Sequence, residues 1–122
     1  MLKILLVDDD ASQRRLFEYN AQLMEDIRLM AVDQFTAQVM NWLYYDLIVV
    51  DVMMPVIDGA ELSRQFIEKY GDSLPPIVLL SAMPQSELQK FAEGLPVQCL
   101  TKSGNPKRIL KNITSLAMVQ AS

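Results

Sequence analysis

Three carboxylates, a serine and a lysine stand where the apolar runs of this 122-residue chain end. Asp8 and Asp9 follow KILLV, Asp51 closes DLIVVD, Ser81 closes IVLLS and Lys102 closes VQCLTK. A carboxylate is costly to bury unless it is paired, coordinated or chemically used. The position of Asp51 at the end of a continuous aliphatic run therefore indicates a chemical role for its side chain.

The hydrophobic pattern predicts the elements that position these side chains. Short apolar runs predict strands, and apolar residues at helical spacing predict helices, such as Leu16 and Leu23 in the first helix and Val39, Met40 and Leu43 in the second. The predicted strands are 3–8, 27–32, 46–52, 77–82 and 97–102, and the predicted helices are 11–26, 35–45, 60–70, 84–94 and 105–120.

Continuous apolar strands that alternate with helices predict an α/β domain with one parallel sheet covered on both faces. We expect a single domain over residues 1–122. Asn105 is the predicted N-cap of the last helix, with Pro106 at its first position.

In a doubly wound sheet, ligands bind outside the carboxyl ends of the strands, so the five strand-end residues are predicted to share one edge. Three carboxylates gathered there repel one another unless a cation neutralises them. Oxygen ligands without histidine or cysteine indicate Mg²⁺, with Mn²⁺ as the alternative. A lysine and a hydroxyl at the same edge are the usual complement of a phosphoryl group.

The composition excludes several other kinds of site. The chain has no histidine, which removes histidine-dependent triads, most transition-metal sites and a phosphohistidine on this chain. Cys99 is the only cysteine, so an internal disulfide and a thiolate zinc cluster are excluded. A net charge of −4 argues against direct nucleic-acid binding, and no segment predicts export or a membrane span. We therefore expect a cytoplasmic protein.

Four segments in this order resemble the receiver domain of two-component response regulators: LLVDDD, VVDVMMPVIDG, LLSA and LTK. The resemblance covers nearly the whole chain. It implies the flavodoxin-like fold, a doubly wound five-stranded parallel sheet of the (βα)5 type. It also implies a phosphorylation-dependent signalling switch whose phosphodonor is a histidine kinase or a histidine phosphotransfer protein. The output and any homodimer remain open.

The resemblance also implies a role for each strand-end residue. Asp51 would accept the phosphoryl group, and Ser81 and Lys102 would contact its oxygens. The Mg²⁺ ligands would be Asp9, Asp51 and the backbone carbonyl of Met53, with Asp8 acting through a water molecule.

Two positions depart from the family pattern. Cys99 stands where the family usually has an aromatic residue that rearranges on phosphorylation, and a thiol presents little surface to bury in either state. Ser103 follows Lys102 where the family usually has a proline after a cis bond. Without proline the cis form costs about 2.5–4 kcal/mol, so we predict a trans bond between Lys102 and Ser103.

Two other functions fit parts of the sequence. The spacing of Asp8 and Asp10 also occurs in haloacid-dehalogenase-type phosphatases, which would make Asp8 the nucleophile of a hydrolase. Those enzymes need a further acidic cluster, yet no acidic residue follows Glu93, and Asp10 fits better as a helix cap. The third function is a receiver-like interaction module that is never phosphorylated, and the intact Asp51 and Lys102 speak against it.

Overall fold

Five strands and five helices alternate along the chain in a computed structural model that describes the backbone of residues 1–121 and the side chains of residues 1–117. The strands are β1 (Leu2–Val7), β2 (Ile27–Val32), β3 (Leu47–Asp51), β4 (Ile77–Ser81) and β5 (Gln98–Thr101). The helices are α1 (Ala11–Gln22), α2 (Gln34–Gln38), α3 (Gly59–Tyr70), α4 (Gln85–Phe91) and α5 (Pro106–Ala121). Within the described residues, none of these helices combines the length and apolar character needed to cross a bilayer.

All strand pairs are parallel, and the strand order is β2-β1-β3-β4-β5. The predicted flavodoxin-like sheet is therefore confirmed. The chain first winds outward from β1 to β2 and then returns past β1 to β3, so the direction of winding reverses between β1 and β3. The carboxyl ends of these two strands form the switch point where such sheets place their ligands.

The sheet separates two apolar cores. One face packs against α1 and α5, with Phe17 and Leu110 as their deepest residues. The other packs against α2, α3 and α4 through residues such as Leu62 and Leu88. Every residue of β3 and β4 is buried, which explains why these strands are continuous apolar runs instead of alternating ones.

The first two helices end earlier than predicted, and most of the apolar residues that indicated them are exposed. Helix α1 ends at Gln22 and buries Phe17 and Ala21, four residues apart, while Leu16 and Leu23 lie exposed. The face of the helix that carries Phe17 and Ala21 is the one that packs against the sheet.

The second predicted helix divides into α2 and a separate 3₁₀ turn over Trp42–Tyr44, which Asn41 caps. Val39 lies at the break and is 86% exposed. The Trp42 indole explains the break, because it is fully buried, donates to the carbonyl of Ala37 at 3.0 Å and stacks on the Phe66 ring at 3.7 Å. A continued helix would not direct that ring into this position.

The helix-capping predictions are confirmed. The Asn105 side chain accepts from the Arg108 amide at 2.9 Å, and Pro106 is the first residue of α5. The Asp10 side chain accepts from the amides of Ser12 and Gln13 at the start of α1. Asp10 therefore serves as an N-cap, which stabilises α1 through otherwise unpaired amides.

Gly59 brings the start of α3 against the end of β3. Its amide donates to the Val52 carbonyl at 3.1 Å, and a Cβ at position 59 would lie 2.3 Å from the carbonyl oxygen of Asp51. Only glycine permits this approach, because the neighbouring atoms belong to the backbone and cannot rotate away.

We expect Gly59→Ala to lower the free energy of unfolding by about 2 kcal/mol or more, since overpacking against fixed atoms is relieved only by moving the backbone. Denaturant titration of both proteins measures the difference. Equal unfolding midpoints would show that α3 can shift away from Asp51 at no cost.

Candidate functional site

Three of the predicted side chains converge at the switch point. Asp51 is the last residue of β3, Asp8 follows β1, and Lys102 follows β5. The Lys102 Nζ lies 3.8 Å from Asp51 Oδ1 and 4.0 Å from Asp8 Oδ2. Asp8 is 2% exposed and Asp51 is 7% exposed. One ammonium group therefore serves two buried carboxylates.

Burial of these carboxylates changes their acidity. Loss of hydration raises the pKa of Asp51 to about 6, against the lowering effect of Lys102, and the nearby Asp8 carboxylate raises this pKa further. Burial also raises the pKa of Asp8, although the Asp10 amide and Lys102 oppose the change. A single ammonium group does not offset the desolvation of both acids.

One oxygen of Asp8 has no hydrogen-bond donor among the described residues. Asp8 Oδ1 accepts from the Asp10 amide at 2.9 Å, whereas Oδ2 is buried and has only the distant ammonium of Lys102. A buried, unpaired carboxylate oxygen is costly. Hard cations are bound by oxygen ligands of this type. This part of the site therefore fits Mg²⁺ or Mn²⁺.

Asp9 points to a different partner. Its Oδ1 accepts from the backbone amide of Gln34 at 2.9 Å, and its Oδ2 accepts from the side-chain amide of the same residue. In the described part of the chain, no three carboxylate, thiolate or imidazole groups converge closely enough to hold a metal. The structure thus unites Asp8 and Asp51 with Lys102 but does not add Asp9 to them, and Asp9 as a ligand stays a prediction.

Gln34 is a further residue at this edge that was not among the predicted site residues, and it is fully buried. A signal was present, because this amide follows the helix cap Asp33 directly at the carboxyl end of β2. Since β2 pairs with β1, that end lies beside Asp8 and Asp9.

Ser81 ends β4 and is completely buried. Its hydroxyl accepts from the Met83 amide at 3.2 Å, and its carbonyl accepts from the Lys102 amide at 2.7 Å. The hydroxyl is therefore engaged with the following loop and not with Asp51. Met53, whose carbonyl is a predicted metal ligand, lies in the exposed loop after β3.

The two departures from the family pattern have different outcomes. The Lys102–Ser103 bond is trans, as predicted. Cys99 is half-buried against α4, where its thiol lies 4.0 Å from the Leu88 carbonyl, and burial raises the pKa of the thiol. The role of Cys99 in signalling stays a prediction.

Fold and site together define a doubly wound α/β protein with an acidic site at its switch point. The family model of the response regulator receiver domain matches residues 4–114. The chain belongs to this family, and the resemblance drawn from its four segments is confirmed.

Individual relatives agree with this assignment. The chain is 31% identical over 118 residues to the transcriptional regulatory protein ResD of Bacillus subtilis, a match that covers 93% of this chain and 47% of ResD. The chain spans about half the length of the curated relatives it matches.

Solved structures show the same fold. The chemotaxis protein CheY4 of Vibrio cholerae is 26% identical with a TM-score of 0.73, and the match covers 94% of this chain and 98% of CheY4. The Mn²⁺-bound form of response regulator Rcp1 is 25% identical with a TM-score of 0.68, covering 95% of this chain and 91% of Rcp1.

The raised pKa of Asp51 leads to a stability prediction. The pKa of an aspartate in an unfolded chain is near 4, so ionisation of Asp51 penalises the folded state as the pH rises through about 6. Without divalent cations, Asp51→Asn should raise the free energy of unfolding at pH 7.5 by up to about 3 kcal/mol. The gain should shrink towards pH 4.5, where the wild-type carboxyl is protonated.

Denaturant titrations at both pH values, in the presence of a chelator, measure this effect. Asp26→Asn is the matched control, because Asp26 is exposed and should show no comparable gain. A gain for Asp51→Asn that is equal at both pH values would contradict the burial argument.

Proposed function

We propose that this chain is a phosphoryl-accepting signalling switch in which Asp51 takes a phosphoryl group from the phosphohistidine of a histidine kinase or a histidine phosphotransfer protein. The observation that carries the proposal is the largely buried Asp51 carboxylate with the Lys102 ammonium at 3.8 Å. The donor must be another protein or domain, because the chain contains no histidine.

The proposed transfer needs no further reactant. An Asp51 carboxylate oxygen forms a bond to phosphorus while the bond from phosphorus to the donor imidazole nitrogen breaks, and that nitrogen keeps the electron pair. The product is an acyl phosphate on Asp51. Lys102 lies where its ammonium can offset the charge on the transferring oxygens. Without a metal, the raised pKa of Asp51 implies that its carboxylate is lost as the pH falls below about 6, and a bound cation would lower that pKa.

The proposed metal is Mg²⁺, and Mn²⁺ could replace it. Asp8 and Asp51 would hold it together with Asp9 and the Met53 carbonyl. When bound, the cation would neutralise charge on the phosphoryl oxygens. The buried, unpaired Oδ2 of Asp8 supports this assignment, as does the Mn²⁺-bound form of the related Rcp1.

The haloacid-dehalogenase alternative receives no support from the contacts. Asp10, its required general acid, is exposed and caps α1. A phosphatase of that type would also leave the buried Asp51 without a role.

Intact-mass measurement after incubation with acetyl phosphate and Mg²⁺ tests the proposal. We expect one added phosphoryl mass in the wild-type protein and in Asp26→Asn, and none in Asp51→Asn or with a chelator. Unchanged labelling of Asp51→Asn would refute Asp51 as the acceptor. Turnover of a simple phosphomonoester that depends on Asp8 would instead support the phosphatase.

We further propose that phosphorylation acts on the loop between β4 and α4. This loop is held to β5 by Thr101, whose hydroxyl contacts the Met83 carbonyl at 3.0 Å and the Gln85 side chain at 3.2 Å. Gln85 also donates to the Cys99 carbonyl at 3.1 Å. If the Ser81 hydroxyl leaves the Met83 amide for a phosphoryl oxygen, one of the contacts that fix this loop is lost.

Amide hydrogen exchange with and without a phosphoryl mimic measures the change. We expect altered protection over residues 82–85 and little change around Cys99, because the thiol has little surface to bury in either state. Thr101→Val should raise exchange in the same loop without the mimic, since it removes the hydroxyl contacts. Changes confined to Cys99 and α5 would contradict this mechanism.

A further inference from the structure

Gln34 occupies a position that the proposed chemistry does not use. It is an uncharged amide with no exposed surface, located at the first residue of α2. Its side-chain nitrogen donates to Asp9 Oδ2 and to the Pro55 carbonyl. Its side-chain oxygen accepts from the Ile57 amide at 3.2 Å. A primary amide has two N–H donors, so both donors of Gln34 are engaged.

These contacts join two regions that are otherwise separate. On one side is Asp9, the acidic residue that the structure keeps apart from the pair formed by Asp8 and Asp51. On the other side is the loop after β3, where Gln34 bonds to the residues immediately before and after Val56.

Val56 is the strained residue of that loop. Its φ is 70°, the one positive value among the non-glycine residues that the structure describes, and its side chain is 87% exposed. A left-handed conformation is unfavourable for a β-branched residue and persists only when its surroundings enforce it. A hydrogen bond from the Ile57 amide to the Pro55 carbonyl at 2.8 Å closes the turn around Val56, and the two Gln34 contacts hold the same two residues from outside it.

We propose that Gln34 is a positioning residue that holds the Asp9 carboxylate away from the cation site and couples its release to relaxation of the loop around Val56. This inference rests on the proposed metal site. A cation that recruits Asp9 must compete with the Gln34 side chain for Asp9 Oδ2. Once Asp9 leaves, a buried donor of Gln34 loses its acceptor, which is costly unless the amide turns. Turning the amide removes its contacts to Pro55 and Ile57, so that the turn around Val56 is held by the hydrogen bond between Ile57 and Pro55 without support from Gln34.

Calorimetric titration with Mg²⁺ tests the competition. Gln34→Met keeps the length of the side chain but removes its donors, so Asp9 Oδ2 loses its competing partner. We expect this variant to bind Mg²⁺ about fivefold or more tightly than the wild type, the change that corresponds to one net hydrogen bond. Gln38→Met is the matched control, because Gln38 is an exposed glutamine of the same helix, and its affinity should equal that of the wild type.

A second measurement uses the wild-type protein alone and does not depend on how the variant folds. On Mg²⁺ titration, the NMR signals of the Gln34 side-chain amide should shift, and the signal of the Ile57 backbone amide should shift with them because it loses one of its two acceptors. Unchanged Gln34 and Ile57 signals at saturating Mg²⁺ would overturn the inference, as would equal or weaker Mg²⁺ binding by Gln34→Met.

Failure of the role of Gln34 can be distinguished from failure of the proposed metal site. A wild-type protein that binds Mg²⁺ and is phosphorylated on Asp51, alongside a Gln34→Met variant with the same affinity, overturns the role of Gln34 and leaves the proposed function intact. A wild-type protein that does not bind Mg²⁺ overturns the metal site and the role of Gln34 together.

Discussion

The properties of the site depend on the burial of two carboxylates beside each other with one ammonium group near both. Asp8 and Asp51 end neighbouring strands, and Lys102 reaches both from the end of β5. Water would hydrate both acids better than this site does, which is why their pKa values rise. Such a site stores unfavourable electrostatic energy that a cation or a proton relieves. A cation bound here would supply the charge that the one ammonium group leaves unbalanced.

The fold forces this arrangement on the two acids. In the order β2-β1-β3-β4-β5, β1 and β3 pair directly, so residues that follow their last buried positions must meet. The register pairs Val7 with Val50, and a slip of one residue would move every core side chain into the opposite core, among neighbours of the wrong shape. Gly59 allows the start of α3 to pack directly against the backbone of Asp51. The packing of the core therefore determines where the Asp8 and Asp51 carboxylates lie.

The sheet and most of the site could be predicted from the sequence. Buried parallel strands are continuous apolar runs, and their carboxyl ends share one edge. The strand-end residues Asp8, Asp51 and Lys102 followed from that rule alone. The second helix could not be predicted, because its end depends on where the Trp42 ring packs on Phe66, a contact between residues distant in sequence. Gln34 was missed for a related reason. A lone glutamine is usually exposed, and its burial becomes clear only when β2 lies beside β1.

The site combines a rigid acceptor with two adjustable loops. Asp51 itself is fixed by β-sheet pairing and by Gly59, so its carboxylate has little freedom to move. The loops on either side are held differently, each by a few polar side-chain contacts. Gln34 holds the loop after β3, and Thr101 holds the loop after β4. Hydrogen bonds of this kind contribute about 1 kcal/mol each, which is far less than the burial of a strand. A change of charge at Asp51 would therefore disturb these contacts before it disturbed the sheet.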